Sequence, residues 1–222
     1  MPTLTDRVNR KADPGEADSP SLGDFDGFVA AGTLVRNPRL ARLYVYVCYY
    51  GPTTIPSVVE ALDVARATAY EDVERLEELG VVTRDERTRP HRIAAEGFAF
   101  VDDAEVAITP TVLHAVALSA IDDDVEYFLN RYGVARLVEA LRVAAAHYAG
   151  DLTQRMAADR LDVTAAEGMA VVSALRPALA AGRTYDGFFD RLFPEYADEL
   201  DFDLDVSGPT SGQSDGDEQN AE

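Results

Sequence analysis

The sequence predicts a mainly α-helical fold with a small β wing: a mixed domain over residues 23–109 followed by an all-helical domain over residues 110–194. Three observations lead there. Apolar residues recur at helical spacing through most of that span. Two of the helices so marked are separated only by Asp63-Val64-Ala65. Strand-like residues gather at one place, 81–83 and 92–94, around a charged loop.

At the N-terminus, residues 1–22 are rich in Asp, Pro, Ser and Gly, poor in apolar side chains, and read as a disordered arm. Its Arg7, Arg10 and Lys11 fit a solvated tail better than a contact surface. Phe25, Phe28, Val29 and Leu34 suggest a short helix packed on the domain after it. Asn37-Pro38 is a cap with proline at the first helical position. Leu40, Leu43, Tyr44 and Val47 continue at helical spacing, and Gly51-Pro52 stops the run. The β-branched and aromatic content of Y-V-Y-V-C-Y-Y argues for a strand instead. The start and stop signals decide for a helix, apolar nearly all round and therefore largely buried, in part against another subunit.

Thr53 or Thr54 caps the next helix, whose Ile55, Val58, Val59 and Leu62 share one face. After the break, Ala69, Val73, Leu76 and Leu79 restart that face, and Gly80 ends the second helix. Two short amphipathic helices across a tight turn, then Val81-Val82, make a helix-turn-helix entering a strand. Arg66, Thr68 and Tyr70 open the second helix off its buried face and can meet phosphates and base edges. The acids of this helix, Glu71, Asp72, Glu74, Glu77 and Glu78, lie mostly toward its C-terminal part. In the wing, Arg84, Arg87, Arg89, Arg92 and His91 face only two acids, Asp85 and Glu86.

The pattern V-A-R-A-T-A-Y-x-x-V-x-x-L-x-x-L-G-V-V at residues 64–82 resembles the winged helix-turn-helix of transcription regulators of the TrmB and MarR type. The layout is also similar to that of haloarchaeal regulators. The resemblance covers residues 37–109. It implies that the second helix lies in the DNA major groove and that the hairpin after it touches the backbone.

Residues 98–109 are ambiguous: Val106-Ala107-Ile108 is a strand that extends the wing sheet or links to the next domain. Beyond Thr109-Pro110, Leu113, Val116, Ala117 and Ala120 form one helical stripe. Asp122 or Asp123 caps a helix carrying Val125, Phe128, Leu129 and Tyr132, which Gly133 ends. Leu137, Val138, Leu141, Ala145 and Tyr148 form a third stripe. Residues 157–175 then echo residues 58–76: Leu62-Asp63-Val64 aligns with Leu161-Asp162-Val163, and Val73 and Leu76 with Val172 and Leu175. Thr164 and Glu167 form a capping box. A second helix-turn-helix shape is expected, with no arginine before Arg176 and so a structural or dimer-forming role; chance likeness of two amphipathic pairs is the alternative. Pro177 ends or kinks its second helix. Tyr185, Phe188, Phe189, Leu192 and Phe193 suggest a last aromatic helix. Residues 195–222 carry ten acids and no base and read as a disordered acidic tail.

Composition bounds the function. Net charge is −20 over 222 residues, and 19 of the 20 basic residues are arginine. Such a surface resembles that of halophilic proteins, hydrated in concentrated salt. Residues 37–92, with eight arginines against nine acids, are nearly neutral. The lone Cys48 cannot form an internal disulfide and reads as a buried, inert thiol. The apolar run 43–50 is too short to span a bilayer and no signal peptide is visible, so a cytoplasmic protein is expected.

Enzyme chemistry is the weakest class. His91, His114 and His147 sit in separate segments without metal or triad spacing. Asp122-Asp123-Asp124 reads as a cap rather than a metal site, and no phosphate loop, metal or cofactor is expected. The expected function is sequence-specific binding of double-stranded DNA by a transcription regulator. Arg66, Thr68 and Tyr70 would enter the groove; Arg84, Arg87, Arg89 and His91 would hold the backbone. A homodimer is expected, because one such helix reads only a half-site. No effector can be named. The alternative is a winged protein-interaction module without DNA contact.

Overall fold

The computed structural model describes residues 24–101, 107–196 and 200. The expected arm 1–22, nearly all of the expected tail, Val106 and the side chain of Phe25 lie outside the described residues. The fold is mainly helical with a small three-stranded antiparallel sheet, a winged helix followed by helices.

Helix α1 (Asp24–Val35) leads into α2 (Pro38–Tyr50). The Asn37 side chain accepts from Leu40 N at 3.1 Å, so the cap and proline start operate as their chemistry suggests. The helix then runs through the aromatic segment that locally favours a strand. What overrides that preference is burial: Leu40, Leu43, Tyr44 and Val47 are sealed in the core, chiefly by α5 (Pro110–Leu118). Tyr50, at the end of the helix, stays exposed. In α1 the inward face is Ala30, Ala31 and Leu34, while Phe28 and Val29, expected to pack, are exposed. The Phe28 ring lies 5.7 Å from the half-buried ring of Phe100.

A two-residue strand, β1 (Thr53–Thr54), precedes α3 (Ile55–Leu62); the Thr54 hydroxyl accepts from Ser57 N. Helix α4 (Arg66–Glu78) follows, then the hairpin β2 (Val82–Asp85) and β3 (Arg92–Ala95). Sheet order is β1-β3-β2, with Val82 opposite Ala95 and Asp85 opposite Arg92. Strands β4 (Phe100–Val101) and β5 (Ala107–Ile108) pair with each other in a separate sheet, so Ala107-Ile108 does not extend the wing.

Helix α6 (Asp123–Tyr148) is capped by Asp122, which accepts from the amides of Asp124 and Val125. Its backbone breaks at Gly133, φ 80°, where the sequence expects one helix to end and another to begin. Helices α7 (Gln154–Arg160) and α8 (Ala165–Ala174) form the second helix-turn-helix shape. The capping box of Thr164 and Glu167 is complete. Pro177 does not simply stop this run; it sits in the first turn of a further helix, α9 (Arg176–Tyr185). Tyr185 therefore ends α9, and the last helix, α10 (Phe189–Leu192), is a single turn.

One buried cluster runs through both halves of the chain, from Leu34 and Leu40 to Leu175 and Phe193. Asp186 is one of the few buried charged residues among those described. Its carboxylate accepts from Thr111 N (2.9 Å), Thr111 Oγ1 (2.6 Å) and Phe188 N (2.9 Å). Nearby, burial and then the Asp186 charge push the Cys48 thiol up to about 11, which suits an inert thiol.

Candidate nucleic-acid interface

Helix α4 is held by its inner stripe. Ala69, Val73 and Leu76 are fully buried, against α3 with its buried Ile55, Val58 and Leu62 and against α2. The turn between α3 and α4 is made by Asp63 in the left-handed region, φ 48°. This packing fixes which side chains of α4 look out. Positions 66, 67, 70, 71 and 74 recur on one helical face, and all five residues there are exposed.

Arg66 and Tyr70 stand together on that face. The Arg66 guanidinium lies over the Tyr70 ring, 5.7 Å from its centroid, and Tyr70 is 41% exposed. Thr68 is half-buried, on the flank next to the inner stripe. Ala65, the N-cap residue of α4, makes no side-chain cap hydrogen bond to the first turn.

The acids are arranged differently from the expectation. Glu71 and Glu74 share the outward face with Arg66 and Tyr70 instead of lying beyond them. Asp72 is buried and pairs with Arg39 of α2 at 2.9 Å. Glu77 pairs with Arg84, and Glu78 with Arg75.

Arg84 consequently stands apart from the other wing residues. It is half-buried, its guanidinium is held at 2.5 Å by Glu77, and its Nε is buried without a partner. It braces β2 against α4 rather than facing outward. Arg87 and Arg89 are exposed on the hairpin loop and make no ion pair among the described residues. The Asp85 carboxylate accepts from the Arg87 backbone amide at 2.9 Å. His91 is half-buried with a buried, unpartnered Nδ1. Arg92 donates to the Pro52 carbonyl at 3.0 Å and ties β3 to the start of β1.

Two positioning roles escaped the sequence reading: that of Arg39, and that of Arg92, which the sequence places only among the basic residues of the wing. For Arg39 a signal existed: Asp72 falls within the spacing of Ala69, Val73 and Leu76, so it had to turn inward and needed a cation. For Arg92 there was none, because its acceptor is a backbone carbonyl 40 residues away.

The other histidines are not assembled into a site. His114 stacks edge-on against Tyr49 and His147 Nδ1 meets the Leu152 carbonyl. Among the described residues no group of three His, Cys, Asp or Glu side chains could hold a metal ion. No helix among them is long and apolar enough to cross a membrane.

The second motif has the shape without the chemistry. Its outward face on α8 carries Ala165, Ala166 and Met169, and Glu167 is taken up by Thr164 and the Tyr127 hydroxyl.

No curated protein and no solved structure matches the chain. Residues 119–184 match a family of unknown function, DUF7437. Residues 40–99, which hold most of α2, the helix-turn-helix and the wing, match the sugar-specific transcriptional regulator TrmB. That family consists of transcription regulators, not enzymes, and the match supports a TrmB-type, DNA-binding regulator.

Proposed function

We propose that this protein is a sequence-specific transcription regulator that binds double-stranded DNA as a homodimer. Helix α4 enters the major groove with Arg66 and Tyr70 leading and Thr68 at its flank. The wing lays Arg87 and Arg89, with His91 beside them, on the phosphate backbone. Arg84 stabilises the wing from within. The helices after residue 110 serve dimerisation or sensing.

The observation that carries this reading is the exposed Arg66–Tyr70 pair at the uncapped start of α4, inside a segment that matches TrmB. A guanidinium held over a ring is ordered before binding, so less freedom is lost when it meets a guanine edge or a phosphate. The amides of the first turn offer further donors to a phosphate. Glu71 and Glu74 sharpen the reading. On a groove-facing surface a carboxylate accepts from cytosine N4 and repels misplaced phosphate, so it contributes selectivity more than affinity.

The acidic remainder fits work in concentrated salt, where counterion release contributes less. Affinity then rests on direct hydrogen bonds, stacking and shape. The test is binding in molar KCl to DNA fragments recovered by genome-wide crosslinking. Arg66→Glu should lose that binding while keeping its melting temperature. Unchanged binding by the variant would remove Arg66 from the interface. Failure to recover any enriched fragment would favour a winged module that binds protein instead.

A further inference from the structure

A cleft lined by residues of the later helices lies far along the chain from the α4 face. It is about 600 Å³, within the size range of small-molecule sites. Val143 and Ala146 of α6 and Phe193 after α10, all buried, give it an apolar floor. Three arginines are among its lining residues: Arg142 from α6, Arg160 from the end of α7, and Arg191 from α10.

Charge makes this grouping informative. The chain carries twice as many acids as bases, 40 against 20, so three arginines around one hollow run against its general trend. Two carboxylates share the lining, Glu139 and Glu195. Glu139 is already held by Arg136, which itself sits outside the cleft and also donates to the Leu161 carbonyl. Arg160 and Arg191 make no ion pair among the described residues. An apolar floor beneath planar cationic donors suits a ligand with an apolar or ring-shaped body and an anionic group. Guanidinium groups bind phosphate and carboxylate through paired hydrogen bonds, a geometry that simple chloride cannot use.

We propose that this cleft binds a small organic anion, an apolar body bearing a phosphate or carboxylate, with Arg160 and Arg191 as its principal donors. The site is separate from the DNA-facing surface, and its occupancy is measured without DNA, so either reading can fail alone.

The experiment is calorimetric titration of the full chain with phenyl phosphate, benzoate, inorganic phosphate and benzyl alcohol at constant KCl. Phenyl phosphate or benzoate should bind at least tenfold tighter than benzyl alcohol, and tighter than inorganic phosphate, because floor and donors act together. The ranking of the first two distinguishes a phosphate from a carboxylate ligand. The double variant Arg160→Gln/Arg191→Gln should lose at least tenfold in affinity. Its ligand-free melting temperature, measured alongside, should stay near that of the parent because both side chains are exposed. Arg155→Gln, an exposed arginine of α7 that does not line the cleft, should bind as the parent does. Equal affinity for benzyl alcohol and the two anions, or equal loss in the Arg155 and double variants, would overturn the proposal.

Discussion

Asp63 and Asp162, 99 residues apart, turn the chain through the same left-handed backbone, φ 48° in each. The likeness extends to the hydrogen bonds around them. Val64 N reaches Val59 O at 3.3 Å, and Val163 N reaches Ala158 O at 3.4 Å. Both turns close the first helix of a helix-turn-helix with the same six-to-one bond. The echo between residues 58–76 and 157–175 is therefore structural as well as sequential. Leu62 and Leu161 are buried before the two turns, and Leu76 and Leu175 after them.

A β-branched residue cannot adopt this backbone cheaply. Asp63→Val and Asp162→Val should each lose about 1–2 kcal/mol of stability. Asparagine tolerates the left-handed region as aspartate does, so Asp63→Asn and Asp162→Asn should stay close to the parent. Urea unfolding curves of the four variants check this. Equal midpoints for Val and Asn variants would show that the turns relax.

The two motifs differ where helix meets helix. Ala69 of α4 corresponds to Gly168 of α8, and an added Cβ at Gly168 would lie 2.5 Å from the Ala158 Cβ and 2.6 Å from its Cα. A methyl group there meets backbone that cannot turn aside. Gly168→Ala should cost about 1–3 kcal/mol through overpacking. It should leave the α4 face untouched, so DNA binding by the folded fraction stays at the parent level. Loss of specific DNA binding at full folding would mean that the second motif is coupled to the first.

Much of the fold was legible because its signals were local. Asn37-Pro38, Asp122 and the Thr164–Glu167 box each identify a helix start through a side chain and an amide three or fewer residues away. What escaped depended on distant partners. Strand β1 has two residues, too few for any periodicity, and exists because Thr53 and Thr54 pair with Ile93 and Arg92. Helix α9 was hidden because Pro177 reads equally as a stop and as a first-turn residue. In the interface, the outward setting of Arg66 and Tyr70 followed from the spacing of Ala69, Val73 and Leu76. The inward setting of Arg84 did not, because nothing within the hairpin reveals that Glu77 waits across the packing of β2 on α4.

That difference separates the wing arginines experimentally. Arg87 and Arg89 are exposed, so each contact that they make with phosphate should add to the salt dependence of binding. Arg87→Ala and Arg89→Ala should each reduce the slope of log affinity against log salt by about 1. Arg84→Ala should leave the slope alone and lower stability by about 1 kcal/mol, the scale of one partly exposed ion pair. Filter-binding titrations across a salt series, with a denaturation curve for each variant, check both. A slope change in Arg84→Ala equal to that in Arg87→Ala would mean that Glu77 releases Arg84 to the DNA.

His114 predicts how the fold responds to acid. Its ring is enclosed by Tyr49 at 5.7 Å and by a small cavity of about 150 Å³, lined also by Val45, Ala117 and Leu118. Burial lowers its pKa from the ordinary 6.5 to about 4. Arg42 is the charged side chain on that cavity wall, and no carboxylate lines it to welcome a proton. In the unfolded chain the imidazole takes a proton as pH falls through 6.5; in the folded chain it does so only near 4. Between those values the unfolded state binds more protons, so acidification through this window favours unfolding. The loss approaches about 3 kcal/mol at most, at roughly 1.4 kcal/mol per unit of pKa. Carboxylates titrate in the same window, so the informative quantity is a double difference. The fall in unfolding free energy from pH 7 to pH 4.5 should be smaller in His114→Leu than in the parent by about 2 kcal/mol. An identical fall in both proteins would mean that the ring is hydrated in the folded state and that its burial does not govern its charge.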